Sequence, residues 1–277
     1  MNTKTRALEE NVEYWESQRN HVTTKIGKWI GGEDVYSHGY SMMNELLGKV
    51  SYMQMIVLNV TGKLIHKNLA KWLEGNFIGM SYPDSRIWCN QIGALAGTNK
   101  TSAVAATIAG SLASDSRAYG GNQTNKIGME FIQKTLLDYK NGKTIIDIVK
   151  QCNFKNNSPV ITGYARPVKR NDERIKPHEK MTADLGFKVG EHLDLAYKLG
   201  EFLEKEYELG INIGGYTSAF LSDQSFTPNE IYQIKSLVVS SGVMACYVDF
   251  TNRTPGSFLP QHCNDIEYTG PSIRELK

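Results

Sequence analysis

From Met42 onward the apolar side chains recur at three- and four-residue steps, and long alternating runs are missing. Met42, Met43, Leu46, Leu47, Val50 and Met53 set this spacing, and the helix they predict is expected to end near Thr61–Gly62. Such a chain must bury helix against helix, so the expected fold is all-α. One stretch departs from the pattern. VTTKIGKWI (22–30), Gly31–Gly32 and VYSHGY (35–40) alternate partially about a Gly-Gly turn, which predicts a small N-terminal β-hairpin.

Small residues dominate 85–113, in IWCNQIGALAG and SAVAATIAGSLAS. At helical spacing they permit close helix approach, in an interior or at a subunit interface. Ile127–Tyr139 and Thr182–Leu209 read as further amphipathic helices. Thr227-Pro228-Asn229-Glu230 combines a Thr N-cap, Pro at the first helical position and Glu at the third. The helix it opens is expected to reach about Tyr247.

Charge and cysteine usage exclude several classes. Thirty-one basic side chains face 29 acidic ones, a net charge of +2 over 277 residues. That balance offers no global attraction for nucleic acid or an anionic membrane. The polar start, MNTKTRALEENVEYWESQRN, lacks the apolar core of an export signal. The apolar run Met53–Val60 is too short for a bilayer. Cys89, Cys152, Cys246 and Cys263 show no CxxC spacing and read as reduced thiols of a cytoplasmic protein. Cys89, in an apolar helix, reads as a small core residue. The six histidines form no HxH or HxxxH set, so no metal site is expected.

Five segments, in order, carry a family resemblance. They are TKIGKW…GEDVYSHGYSMMNELL (24–47), ASDSRAYGGNQTN (113–125), ITGYARPVKRNDER (161–174), NIGGYTSAFL (212–221) and YTGPSIREL (268–276). Together they resemble the citrate synthase family, in the order hairpin and first helix, Gly-Gly catalytic loop, coenzyme A loop, catalytic-aspartate stretch and C-terminal tail. The chain's length is closer to the compact citryl-CoA lyase branch. The resemblance implies an all-α homodimer that closes around a keto acid and a coenzyme A thioester. It also implies a large domain from 1–125 and 210–277, and a small domain, 126–209, carrying the coenzyme A loop. The interface would use the Ala/Gly-rich helices at 92–113.

At the family's acid–base positions this sequence differs. Tyr119 stands where the loop histidine is expected, Arg166 at the histidine of the coenzyme A loop, and Gly214 at the aspartate. Another histidine position falls near Ser81, and two arginine positions fall near Val239 and Cys263. Glycine has no group to take a proton, and arginine is always protonated. Ordinary citrate synthase activity is therefore not expected.

Arg166, Lys169, Arg170, Arg174 and Lys176 place five cations within eleven residues, and clustered cations suit the phosphates of coenzyme A. A solvated basic loop balanced by Asp172, Glu173 and Glu179 is the plainer reading. Asp115, Arg117 and Tyr119 are catalytic candidates together with Arg166, because a tyrosine beside arginine can exchange a proton if its pKa falls. Ser81, Asp84, Arg86, Gly214 and Tyr216 are candidate substrate-binding positions. Against that, Asp84 or Ser85 would serve as a helix cap, and Gly120–Gly121 and Gly214–Gly215 as tight turns. His38 is expected to be structural.

Three functions remain open. One is carbon–carbon bond formation or cleavage on an acyl-CoA with a non-standard keto-acid-type substrate. The second is a reaction on another small anion without coenzyme A. The third is a non-catalytic scaffold or small-molecule binder. Polar replacements, where a decayed site would fill with apolar residues, favour a working pocket.

Overall fold

The computed structural model describes residues 3–116, 121–165, 172–257, 263–265, 267–272 and 274–275. The chain forms two compact units, residues 1–70 and 71–277.

In the first unit, helix α1 (Thr3–Gln18) precedes a small antiparallel sheet, β1 (Gly27–Ile30), β2 (Asp34–Ser37) and β3 (Tyr40–Ser41), in the order β1-β2-β3. The expected hairpin is β1–β2, paired in the register Gly27↔Ser37 to Ile30↔Asp34, and a third strand extends it. Its turn contains Gly32 at φ 78°, a left-handed conformation that favours glycine. The helix expected through Met42–Thr61 is broken. A short π-type turn, Met42–Leu46, comes first, Gly48 then adopts φ 73°, and α2 (Tyr52–Thr61) follows. Ser51 opens α2 with a capping box to Gln54, so a polar cap interrupts the apolar periodicity. Gly62, left-handed, closes α2 at the expected place.

The second unit takes in most of α3 (Lys67–Met80), then α4 (Trp88–Thr98), α5 (Ala103–Ser114), α6 (Gly121–Lys140) and α7 (Ile145–Lys150). A two-stranded ribbon follows, β4 (Phe154–Lys155) with β5 (Ser158–Pro159). Next come α8 (Ile175–Asp184), α9 (Glu191–Tyr207), α10 (Ile213–Asp223), α11 (Pro228–Ile234) and α12 (Ser240–Thr251). The single helix expected over Thr182–Leu209 is two. Phe187 N–H bonds Thr182 O and Gly186 N–H bonds Ala183 O, with Gly186 at φ 81°. That Schellman closure ends α8. The Thr227/Glu230 capping box forms as expected, but the helix stops at Ile234. A 3₁₀ turn at Lys235–Leu237 separates α11 from α12.

Small residues bring α4 and α5 against α12. A β-carbon on Gly93 would lie 2.6 Å from Val243 O, and one on Gly97 would lie 2.6 Å from Tyr247 O. Elsewhere Trp72 stacks on Phe220 at 4.1 Å between ring centroids, with Phe187 edge-on to Phe220. Pro228–Thr251 is long and apolar enough to cross a bilayer. Here, however, Ile231, Ile234, Val238 and Val243 are buried inside the protein, and a buried lysine, Lys235, sits in the middle of the stretch.

Candidate functional site

Two backbone segments meet at the start of α10. Asn212 is the N-cap, its Oδ1 accepting from Gly214 N (2.8 Å) and Gly215 N (3.2 Å). Its Nδ2 donates to Ala165 O, and its backbone N–H to Gly163 O. A β-carbon on Gly215 would lie 2.4 Å from Gly163 O, so glycine is needed for this approach. Gly214–Gly215 is thus the first turn of a helix, because Asn212 caps it, and the expected tight turn is absent. The segment leading into the basic loop is fastened to the helix start.

Asp172 lies on the far side of that loop. Its carboxylate is fully buried, accepting from Arg174 Nε (2.8 Å) and Nη2 (2.7 Å) and from Ile213 N (2.9 Å). Burial pushes its pKa up, but the Arg174 and Ile213 hydrogen bonds outweigh this and hold the carboxyl below its ordinary value. Arg174, a candidate for binding phosphate, pairs with Asp172 in the structure. Lys176 carries an exposed side chain.

His178, on α8, is buried above this ion pair. Its Nδ1–H donates to Arg174 O (2.8 Å), leaving Nε2 to accept from Asn76 Nδ2 (3.2 Å). Burial first, opposed by the hydrogen bond to Arg174, holds His178 below its ordinary pKa; the Lys235 and Arg174 charges add to the lowering. With Nδ1 donating and Nε2 accepting, the hydrogen bonds are those of the uncharged ring. Asn76 is wholly buried, and among the described residues its Oδ1 has no hydrogen-bond donor. One turn along α8, Thr182 donates to His178 O, accepts from Trp72 Nε1 (2.8 Å), and meets Tyr216 OH at 2.7 Å. Tyr216 is buried, and burial raises its pKa to about 12.

Lys235 completes the cluster and was not among the candidates from sequence. It is 0% exposed, and its Nζ donates to Asn125 Oδ1 at 3.0 Å. Thr217 Oγ1 lies 3.0 Å from the same oxygen, 2.8 Å from Ile213 O and 3.3 Å from Gly214 O, its one proton shared among these acceptors. Desolvation, reinforced by the Arg174 charge, lowers Lys235 to about 7. Its place in the aligned segment, four residues before Val239, was the one available signal. Val239 itself packs in an apolar cluster with Cys89, Val238 and Val243, so no clamp arginine is replaced there by a polar group.

The other candidates lie elsewhere or are otherwise engaged. Asp84 and Arg86 close on each other in a bidentate pair, with the Arg86 side chain 89% exposed. The Arg86 hydrogen bonds draw Asp84 down to about 2. Neither Asp84 nor Ser85 caps α4; Ile87 is the N-cap, because Asp84 Oδ1 is taken by Arg86. Ser81 Oγ accepts from Gly242 N (2.8 Å) and so fastens the start of α12. Asp115 ends α5 and accepts from Tyr232 OH (2.7 Å), while its buried Oδ1 has no partner among the described residues. It borders a groove of about 460 Å³ lined by Ile108, Leu112 and Leu237. Arg117, Tyr119, Gly120, Arg166, Lys169 and Arg170 fall outside the described residues. The described Cys89, Cys152 and Cys246 are free thiols, and burial raises Cys89. Among the described residues no group of His, Cys, Asp and Glu is placed to hold a metal ion.

By sequence, no family model and no curated protein matches the chain. Solved structures do. Citryl-CoA lyase from Hydrogenobacter thermophilus superposes with TM-score 0.77 at 25% identity, over 92% of this chain and 97% of that one. ATP citrate lyase from Methanothrix soehngenii, in complex with citrate and coenzyme A, matches at TM-score 0.74 and 18% identity. That match covers 92% of this chain and 43% of the larger one. Citrate synthase from Thermoplasma acidophilum, with carboxymethyl coenzyme A and oxaloacetate, matches at 0.58 and 14%, over 82% and 59%.

Proposed function

We propose that this chain, citrate synthase-like in fold, forms or cleaves a carbon–carbon bond on a coenzyme A thioester, with a keto-acid-type partner other than the standard one. The observation that carries the reading is the likeness to a citryl-CoA lyase along nearly the whole of both chains. Coenzyme A-dependent bond making or breaking is the activity shared by the names of the structural neighbours. Conversion to an unrelated anion chemistry has no comparable support.

The chemistry requires a bound thioester, a cationic environment for the partner's carboxylates, and a group that moves a proton. In this reading Arg166, Lys169 and Arg170 bind the phosphates of coenzyme A, with Arg174 held at the loop's end by Asp172. Tyr119, Arg117 and Asp115 are assigned the handling of charge and protons in the reaction. Ser81, Asp84, Arg86, Gly214 and Tyr216 shape the substrate side, Tyr216 and Ser81 through packing. The protein is cytoplasmic and needs no metal. Residues 126–209 form the small domain, and the Ala/Gly-rich helices join two copies.

Calorimetric titration of coenzyme A and acetyl-CoA tests this. Micromolar binding is expected, lost when Arg166, Lys169 and Arg170 are changed together to Ala. A folded protein that binds neither ligand would overturn the reading, and a screen of small anions would follow.

A further inference from the structure

The family resemblance puts glycine where the proton-abstracting carboxylate is expected, so the proposed reaction lacks its base. The buried groups around Gly214 offer a replacement. Among the described residues, Asn125 Oδ1 is the acceptor in reach of Lys235 Nζ. An ammonium carries three protons, so one acceptor serves the neutral amine, with two, better than the cation. Among the described residues the charge that acts on Lys235 is that of Arg174, of like sign, while Asp172 accepts from Arg174 and Ile213. Lys235 and Gly214 are joined by short steps through Asn125 and Thr217, so the amine shares a neighbourhood with the vacated position. Asn76 Oδ1, buried and without a partner among the described residues, marks polar capacity left open in the same cluster.

We infer that Lys235 is the catalytic base, its neutral Nζ accepting a proton from the carbon next to the thioester carbonyl. The inference rests on the reading above, that the chain binds a coenzyme A thioester. In the bond-forming direction the C–H bond breaks, the proton goes to Nζ, and the electron pair forms the enolate; as the enolate adds to the partner's carbonyl carbon, the C=O π pair moves to oxygen, and the alkoxide takes a proton from water. In the cleaving direction the hydroxyl gives its proton to water, its oxygen pair forms the carbonyl as the carbon–carbon bond breaks to the enolate, and the ammonium returns its proton to the enolate carbon. Burial, which places the amine near the working pH, suits it to both steps.

The test follows deuterium exchange into the acetyl methyl group of acetyl-CoA in D₂O, beside calorimetric binding of acetyl-CoA to the same samples. The expected result is exchange by the intact protein, rising with pH through about 7. Lys235→Met and Lys235→Ala should lose at least ~100-fold in exchange while binding acetyl-CoA within about threefold of the parent. Ethylamine should restore exchange to Lys235→Ala. Lys235→Met, near in volume, keeps the test valid if the Ala variant fails to fold. Lys235→Arg retains the charge without the base. Exchange preserved in Lys235→Arg or Lys235→Met overturns the inference and leaves thioester binding standing. So does a bound thioester that shows no exchange in the parent. Failure of the parent to bind acetyl-CoA removes the underlying reading instead.

Discussion

Asp172 joins the guanidinium of Arg174 to the backbone N–H of Ile213, so a single buried carboxylate connects the end of the basic loop to the first turn of α10. Removing it strands a mostly buried cation and an N-terminal helix donor together. Asp172→Ala should cost ~3–5 kcal/mol in urea unfolding, the range for breaking a buried pair from one side. The acid limb follows from its pKa. The folded value is held below the ordinary 3.8, so the stabilisation is full above that value and is lost as pH falls through the folded one. Asp172→Asn should therefore flatten the loss of stability below about pH 4. A variant melting like the parent across this range would refute the connection.

His178 sets a second pH dependence. Its folded pKa lies below the ordinary 6.5, so the unfolded chain binds more protons between the two values. Stability should fall as pH drops below about 6.5. His178→Asn should lose this slope, at the cost of the hydrogen bonds to Arg174 O and Asn76. Thermal melts between pH 5 and 8 read the difference. Equal slopes in parent and variant would place the dependence on another group.

Lys235 is expected to oppose stability. Its folded pKa is about 7 against an ordinary 10.5, so the folded state disfavours the ammonium. The penalty is full below pH 7, where both states are charged, and fades as pH rises towards 10.5. Lys235→Met should raise the melting temperature by several degrees at pH 6.5, with the gain shrinking by pH 9.5. A less stable Met variant at pH 6.5 would mean the ammonium is well served in the fold.

What the sequence shows here depends on whether a residue's role is local. The Thr227/Glu230 capping box, the Gly62 stop and the close-packed glycines of α4 are written in short stretches, and each is found in the structure. Breaks within periodic runs are less visible. Ser51 starts a helix and Gly186 ends one inside patterns whose apolar spacing continues through them. Lys235 was hidden for the same reason. In NEIYQIKSLVV it reads as a surface lysine, and only the 3₁₀ turn between α11 and α12, with Asn125 from α6, makes it interior. Asp84 and Arg86 stand two residues apart with opposite charges, and the structure shows the local part of that pattern, a bidentate pair between them.

The glycines of α4 carry a packing prediction. Gly97 has Tyr247 O, Thr251 N and Phe250 Cβ within 3.2 Å of where a β-carbon would stand, two of them backbone atoms that cannot rotate away. Gly97→Ala would gain helix propensity of up to ~1 kcal/mol. Against that it must push α12 from α4, and overpacking of this kind costs ~1–3 kcal/mol. A net loss is expected in urea unfolding. A stabilised Gly97→Ala would show that α4 and α12 separate at little cost.

The exposed side of α5 bears on assembly. Val104, Ile108 and Leu112 recur at four-residue steps and are solvent-exposed in the single chain, an apolar stripe beside the groove that Leu237 also lines. A stripe of this kind on an isolated chain favours association. In the proposed dimer a second copy covers it. Sedimentation at micromolar concentration should give twice the 31.0 kDa chain mass. Ile108→Glu with Leu112→Glu should return the protein to one chain mass, since paired charges cannot be buried there without partners. Both substitutions lie on an exposed face, so the helix content by circular dichroism should not change. A parent protein that sediments as a single chain would refute the dimer and leave the stripe without a partner copy.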